Sequence, residues 1–127
     1  MKIYNSLSKK LEDFVVGEDK IVRMYLCGPT VYDLPHLGHG MSAVNFDLIR
    51  KYLIYKGQKE GFKVEFASNY TDIEDKMIKR AAEEGISVPE LAEKIIPEYI
   101  RDYGDLGIMA ADFSPKATDY IVRMIEM

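Results

Sequence analysis

The sequence predicts an α/β fold, a parallel sheet with flanking helices built around one βαβ unit. Three observations carry that prediction. Residues 21–27 (IVRMYLC) form an apolar run with β-branched and aromatic members, ended by Gly28-Pro29, which is the pattern of a buried strand. From Leu37, apolar residues recur at three- and four-residue steps through Met41, Val44, Leu48, Tyr52 and Tyr55, the period of a helix. Residues 62–67 (FKVEFA) then alternate apolar and polar, and strand, helix, strand in that order requires a parallel pairing.

The remaining elements follow in chain order. Residues 1–19 read as a short strand and a turn at Gly17-Glu18-Asp19 leading into the core. The long helix is expected over 37–55 with Gly57 as its C-cap. Asp72 is placed to cap a helix running to Glu84 and closed by Gly85. Ser87 with Glu90 three residues on has the spacing of a capping box, with Pro89 in the first turn. That helix should reach about Tyr103, with Pro97 predicting a kink. Residues 110–115 read as a loop and 116–127 as helical.

Composition narrows the class. At 127 residues, 47% hydrophobic and 30% charged, the chain is a single domain with a real core and not a disordered segment. No apolar run approaches the ~18 residues of a membrane span, and the N-terminus lacks a signal-type apolar stretch, so the expected location is cytoplasmic. The single cysteine, Cys27, excludes an internal disulfide. Residues 1–64 hold 10 Lys/Arg against 7 Asp/Glu, and residues 65–127 hold 7 against 14. Neither half is the polybasic surface that binds nucleic acid without specificity.

Chemistry concentrates between residues 25 and 40 (YLCGPTVYDLPHLGHG). In open α/β sheets ligands bind beyond the carboxyl ends of the strands. Cys27 falls at that end of the first strand, and His36 and His39 fall where the long helix begins. A helix start offers free N–H groups and the positive end of a dipole, which suits phosphate. Two imidazoles there would stabilise charge developing during a displacement. Gly38 and Gly40 leave room for a flat base or ribose against the backbone. Taken alone, Cys27 reads as a buried structural thiol, and Lys76, Lys79 and Arg80 as a solvated helix face.

The stretch HLGH at 36–39 resembles the HIGH signature of class I aminoacyl-tRNA synthetases. MYLCGPTVYD at 24–33, FDLIRKYL at 46–53, NYTDIEDKMIKRA at 69–81 and KIYNSL at 2–7 narrow the resemblance to the cysteinyl-tRNA synthetase family. Five blocks in the right order are far more specific than HLGH alone.

The resemblance implies ATP-dependent activation of cysteine to cysteinyl-adenylate and transfer to its tRNA. It implies that His36 and His39 act on the ATP phosphates, with Gly28, Thr30 and Gly38 completing the nucleotide contacts and Mg²⁺ accompanying ATP. Cysteine would lie against Cys27, Gly28, Thr30 and Thr71. Cys27 matches the family's first zinc ligand, and zinc would select a thiolate over the oxygen of serine.

Two positions depart from the family pattern. Met41 and Ser68 stand where arginine is common, which removes two cations from a nucleotide site. The chain is also about four residues longer than usual around 57–61, expected as a lengthened surface hairpin or loop.

The second lysine loop, the remaining zinc ligands and the anticodon-binding domain have no counterpart here. The implied organisation is therefore 1–19 as a lead-in, 20–112 as the first half of a Rossmann-type catalytic domain, and 113–127 as the start of the insertion. Alone it would be catalytically incomplete, needing the remainder of the catalytic domain or a partner chain. Two rivals stand beside this reading: a degenerate paralogue that binds nucleotide or a partner without catalysis, and a relative of the mycothiol-pathway cysteine ligase.

Overall fold

The computed structural model describes residues 1–127. An antiparallel hairpin, β1 (Lys2–Asn5) and β2 (Lys10–Asp13), opens the chain, so the lead-in holds two strands where the sequence predicts one. The predicted βαβ unit follows as β3 (Ile21–Leu26), α1 (Leu37–Glu60) and β4 (Lys63–Ser68). β3 and β4 pair in parallel, with Ile21 opposite Lys63 and Leu26 opposite Ser68. The chain then forms α2 (Asp75–Glu84), α3 (Val88–Asp105), a 3₁₀ turn over Ala117–Tyr120 and a short α4 (Ile121–Ile125). Residues 116–127 are thus two short pieces and not one helix.

Two helix ends carry the predicted chemistry. Ser87 and Glu90 form the reciprocal capping box of α3, and Gly85 closes α2 in a left-handed conformation (φ 69°). α3 runs through Pro97 to Asp105. The end of α1 differs from expectation. Its C-cap is Gly61 (φ 77°), while Gly57 is buried inside the helix. A Cβ at Gly57 would stand 2.4 Å from the carbonyl oxygen of Phe62, so Gly57 serves the close return of the chain to β4. Residues 57–60, expected as part of a lengthened hairpin or loop, are the last turn of the helix.

Asp72 also departs from its expected role. The α2 N-cap is Glu74, which makes no side-chain cap bond. Asp72 is buried and accepts the backbone N–H and the hydroxyl of Thr118, which fixes the 3₁₀ turn against the end of the sheet.

The core has two centres. Met77 and Ala81 of α2 pack on Leu91, Ile95 and Tyr99 of α3 and on Val31 of the loop after β3. Burying a side chain such as Leu91 contributes about 2 kcal/mol. The second centre joins Val22, Leu53 and Phe62. Of the aromatics, only Phe62, Phe66 and Tyr99 are buried.

The apolar stripe of α1 is the larger surprise. Leu37, Met41, Val44, Leu48, Tyr52 and Tyr55 are all exposed, and the face turned inward carries Ala43, Asp47, Arg50 and Leu53. Arg50, only 3% exposed, donates to the carbonyls of Met109 (3.3 Å) and Ala110 (2.7 Å) and to Asp112 (3.0 Å). Asp112 in turn accepts the N–H of Phe66 in β4 at 2.8 Å. Asp47 accepts the N–H of Met109 at 3.1 Å. The chain after α3 is thereby drawn along β4, where Phe113 and Lys116 form parallel bridges with Ala67 and Tyr70.

Replacing Arg50 by Met strips three acceptors of their donor while keeping the aliphatic volume. The expected loss is about 3 kcal/mol of unfolding free energy in urea titration; a loss below about 1 kcal/mol would show that the hook is dispensable.

Candidate active site at the strand ends

The chain leaves β3 at Leu26, and Cys27 through Thr30 cross the carboxyl end of the sheet. Asn69, just beyond β4, locks this crossing. Its Oδ1 accepts the N–H of Gly28 (3.0 Å) and the hydroxyl of Tyr25 (2.8 Å). Its Nδ2 donates to Thr71 Oγ1 at 3.2 Å. Thr30 and Thr71 bridge in parallel, and Val31 N–H donates to the Thr71 carbonyl at 3.2 Å. A Cβ at Gly28 would stand 1.6 Å from the carbonyl oxygen of Asn69, so only glycine lets the two strand ends come this close.

A cavity of about 290 Å³ opens here, lined by Cys27, Gly28, Thr30, His39, Ser42 and Ser68 among others. It unites four of the candidate site residues, Cys27, Gly28, Thr30 and His39, with Ser68, one of the two positions that depart from the family pattern. Cys27 is exposed rather than buried, contrary to its reading in isolation. Thr71 stands behind Thr30 and does not line this cavity. His36 lines a separate, wider groove with Met41 and Asn45 between α1 and the end of α3.

The two histidines build the start of α1 themselves. His36 is the N-cap: its Nδ1 accepts the N–H of Gly38 at 3.1 Å, and His39 Nδ1 accepts the N–H of His36 at 3.2 Å. The rings stack with centroids 3.8 Å apart. A Cβ on Gly38 would stand 2.9 Å from His36 Cε1, so Gly38 makes room for the imidazole itself. A backbone N–H can only donate, so both Nδ1 atoms are acceptors and both ring protons sit on Nε2. The site therefore presents two Nε2–H donors at a helix start, where negative charge is favoured.

Half-buried His39 is held below its usual value of 6.5, first by burial and then by the neighbouring His36. Tyr99, fully buried in α3, places its hydroxyl 3.2 Å from His39 Nδ1. Burial pushes that phenol up to about 12. No group of three or more His, Cys, Asp or Glu side chains is arranged to hold a metal ion; Cys27 supplies a single thiol, so the residues of this segment do not make a zinc centre.

Sequence reasoning missed Asn69 and Tyr99. Asn69 lies inside a recognised block, but the two partners that its Oδ1 joins, Gly28 and Tyr25, are 41 and 44 residues away. Nothing in the sequence sets Tyr99 apart from the chain's other tyrosines. Lys79 and Arg80 pair with Glu83 and Glu84 on the outer face of α2, and Lys76 lies over the Tyr32 ring at 5.3 Å, in keeping with a solvated face.

A parallel βαβ unit with this HLGH cap at the strand ends defines a class I aminoacyl-tRNA synthetase catalytic fold. The solved structure of a methionyl-tRNA synthetase from Mycobacterium tuberculosis, in complex with methionyl-adenylate, matches with a TM-score of 0.63 over 73% of this chain and 17% of that one, at 20% identity. The family described as tRNA synthetases class I (C) catalytic domain matches residues 13–127, and the chain belongs to it. It is 53% identical over its whole length to a cysteine–tRNA ligase of Thermodesulfovibrio yellowstonii, covering 25% of that protein. It is 50% identical, again over its whole length, to one of Symbiobacterium thermophilum, covering 26%. The chain thus spans about a quarter of the length of these relatives. No helix is long and apolar enough to cross a membrane.

Two outcomes are expected. Gly28→Ala should disrupt the strand-end crossing, seen as faster hydrogen exchange at residues 25–31; unchanged exchange would contradict the clash. His39 should titrate below 6.5 by NMR. As pH falls below 6.5 the unfolded chain takes up that proton first, so the stability His39 contributes is complete above this value and declines below it. A midpoint at or above 6.5 would refute the assignment.

Proposed function

We propose that this segment is the nucleotide- and amino-acid-binding part of a cysteine–tRNA ligase, which activates cysteine with ATP and passes the cysteinyl group to tRNA. The observation that carries this reading is the cavity joining Cys27, Gly28, Thr30 and His39 at the carboxyl ends of the parallel strands, in a chain of this family.

The chemistry follows from what the residues can do. In adenylate formation the carboxylate of the amino acid attacks the α-phosphorus of ATP and pyrophosphate leaves. Charge grows on the phosphoryl oxygens as the bond breaks. Nε2–H donors on His36 and His39 would meet that charge without moving, because their rings are already fixed by the cap. Catalysis of this kind comes from positioning and charge stabilisation, with no covalent intermediate on the protein. Gly28 and Thr30 lie where backbone and hydroxyl can hold the substrates. Thr71 would act beside the amino-acid pocket by supporting Thr30, and Gly38 by admitting the nucleotide near the cap.

Mg²⁺ would accompany ATP. Cys27 is proposed as one thiolate ligand of a zinc ion that would bind the substrate's sulfur; the other ligands would come from outside this segment. Residues 20–112 would form the first half of the catalytic domain and 113–127 the start of an insertion, in a cytoplasmic protein completed by further chain. Selection between cysteine and serine and the docking of tRNA would belong to that completed protein.

The test is cysteine-dependent ATP–pyrophosphate exchange by the full-length protein. His39→Ala should lower the exchange rate at least about tenfold, as loss of a transition-state donor does. A change of less than about twofold would remove His39 from the mechanism. Exchange that runs equally well with serine would overturn the cysteine assignment.

A further inference from the structure

We propose that Tyr99 is a positioning residue for His39: its buried hydroxyl donates to Nδ1 and so holds the ring with its only proton on Nε2. The tautomeric part rests on geometry alone; the consequence for rate rests on the reading of His39 as a phosphate donor given above.

The hydrogen-bond roles are forced. His39 Nδ1 lies 3.2 Å from the backbone nitrogen of His36 and 3.2 Å from Tyr99 Oη. The His36 N–H is an obligate donor, so Nδ1 can carry a proton only if the ring first turns away from it, and the Tyr99 contact opposes that turn. A tyrosine hydroxyl can donate or accept; facing an acceptor, it must donate. Tyr99 is fully buried, and a buried hydroxyl without a partner is costly, so His39 answers a need of the core while the core fixes the state of His39.

The packing supports the same assignment. The Tyr99 ring meets His39 edge-on at 5.4 Å and Tyr103 edge-on at 5.8 Å. The phenol therefore cannot turn away without moving two neighbours. One lone pair on Nδ1 serves two donors, each at the long end of the normal range. Neither donor alone holds the ring as firmly as both, and the Tyr99 contact is the one that ties His39 to α3 rather than to its own helix.

The test uses the full-length protein with ¹⁵N-labelled histidine. Tyr99→Phe keeps the ring and both edge-on contacts and removes only the hydroxyl. In the unsubstituted protein the His39 nitrogens should show one protonated Nε2 and one unprotonated Nδ1. In Tyr99→Phe the ring is free to turn off the His36 N–H, so the Nδ1 signal should move toward the protonated position as the second tautomer becomes populated. The rate of adenylate formation should fall about fivefold, the size expected for one neutral hydrogen bond, with the KM for ATP changed less than about twofold.

An unchanged nitrogen pattern overturns the proposal, whatever the rate does, because a fall in rate alone would then report packing. A shifted pattern with an unchanged rate supports the positioning role and counts instead against His39 as the phosphate donor. A shifted pattern with the reduced rate supports both.

Discussion

Arg50 is the residue on which the rest of the arrangement depends. One guanidinium, almost fully removed from water, gathers two carbonyls and a carboxylate from a segment some sixty residues further along the chain. A cation in that position is tolerated because both terminal nitrogens are bonded and the Phe66 ring lies 5.1 Å from it, although Nε has no partner. In return, the chain that leaves α3 is pinned to β4 and added to the sheet. The far end of α3 is thereby held to the sheet by this hook after Asp105, while its buried face packs on α2 and Val31. That is what keeps Tyr99 beside the start of α1.

The site inherits its geometry from this frame and divides into two parts. The imidazole part is built within one helical turn, where each histidine caps the other's backbone. The thiol part, Cys27 to Thr30, is built across the sheet by Asn69. The two meet only in the cavity between them, and the residues lining it come from four separate stretches of sequence. Neither part has a charged group at its centre. Its polarity comes from N–H and O–H donors, which suits a ligand that brings its own negative charge.

Much of the fold was legible in the sequence, for physical reasons that are local. β3, α1 and β4 are long, strongly patterned elements, and the caps at Gly85 and Ser87 are decided by residues within four positions. The HLGH stretch and Cys27 were legible as a candidate site because the carboxyl ends of parallel strands have few other uses. What failed to read was the orientation of α1. Periodicity locates an apolar face but not its partner, and here the inward face is set by Asp47 and Arg50, whose counterparts lie far along the chain. Asp72 failed in the same way: its position before a helix suggested a cap, and its actual donor is Thr118. Glycine was misread at Gly57 because the close approach of Phe62, not the end of the helix, requires it.

The division of the site has a consequence for how it comes into being. The cap of α1 involves contacts only two or three residues apart, so it can form as soon as that turn of helix does. The Cys27 side waits for β4 to pair with β3 and bring Asn69 across a separation of 41 residues. A perturbation that loosens β4 would therefore leave the histidines paired while the thiol strand drifts free. The two parts belong to different units of local opening, and the protein acquires its pair of Nε2–H donors earlier in folding than the strand-end crossing that carries the thiol.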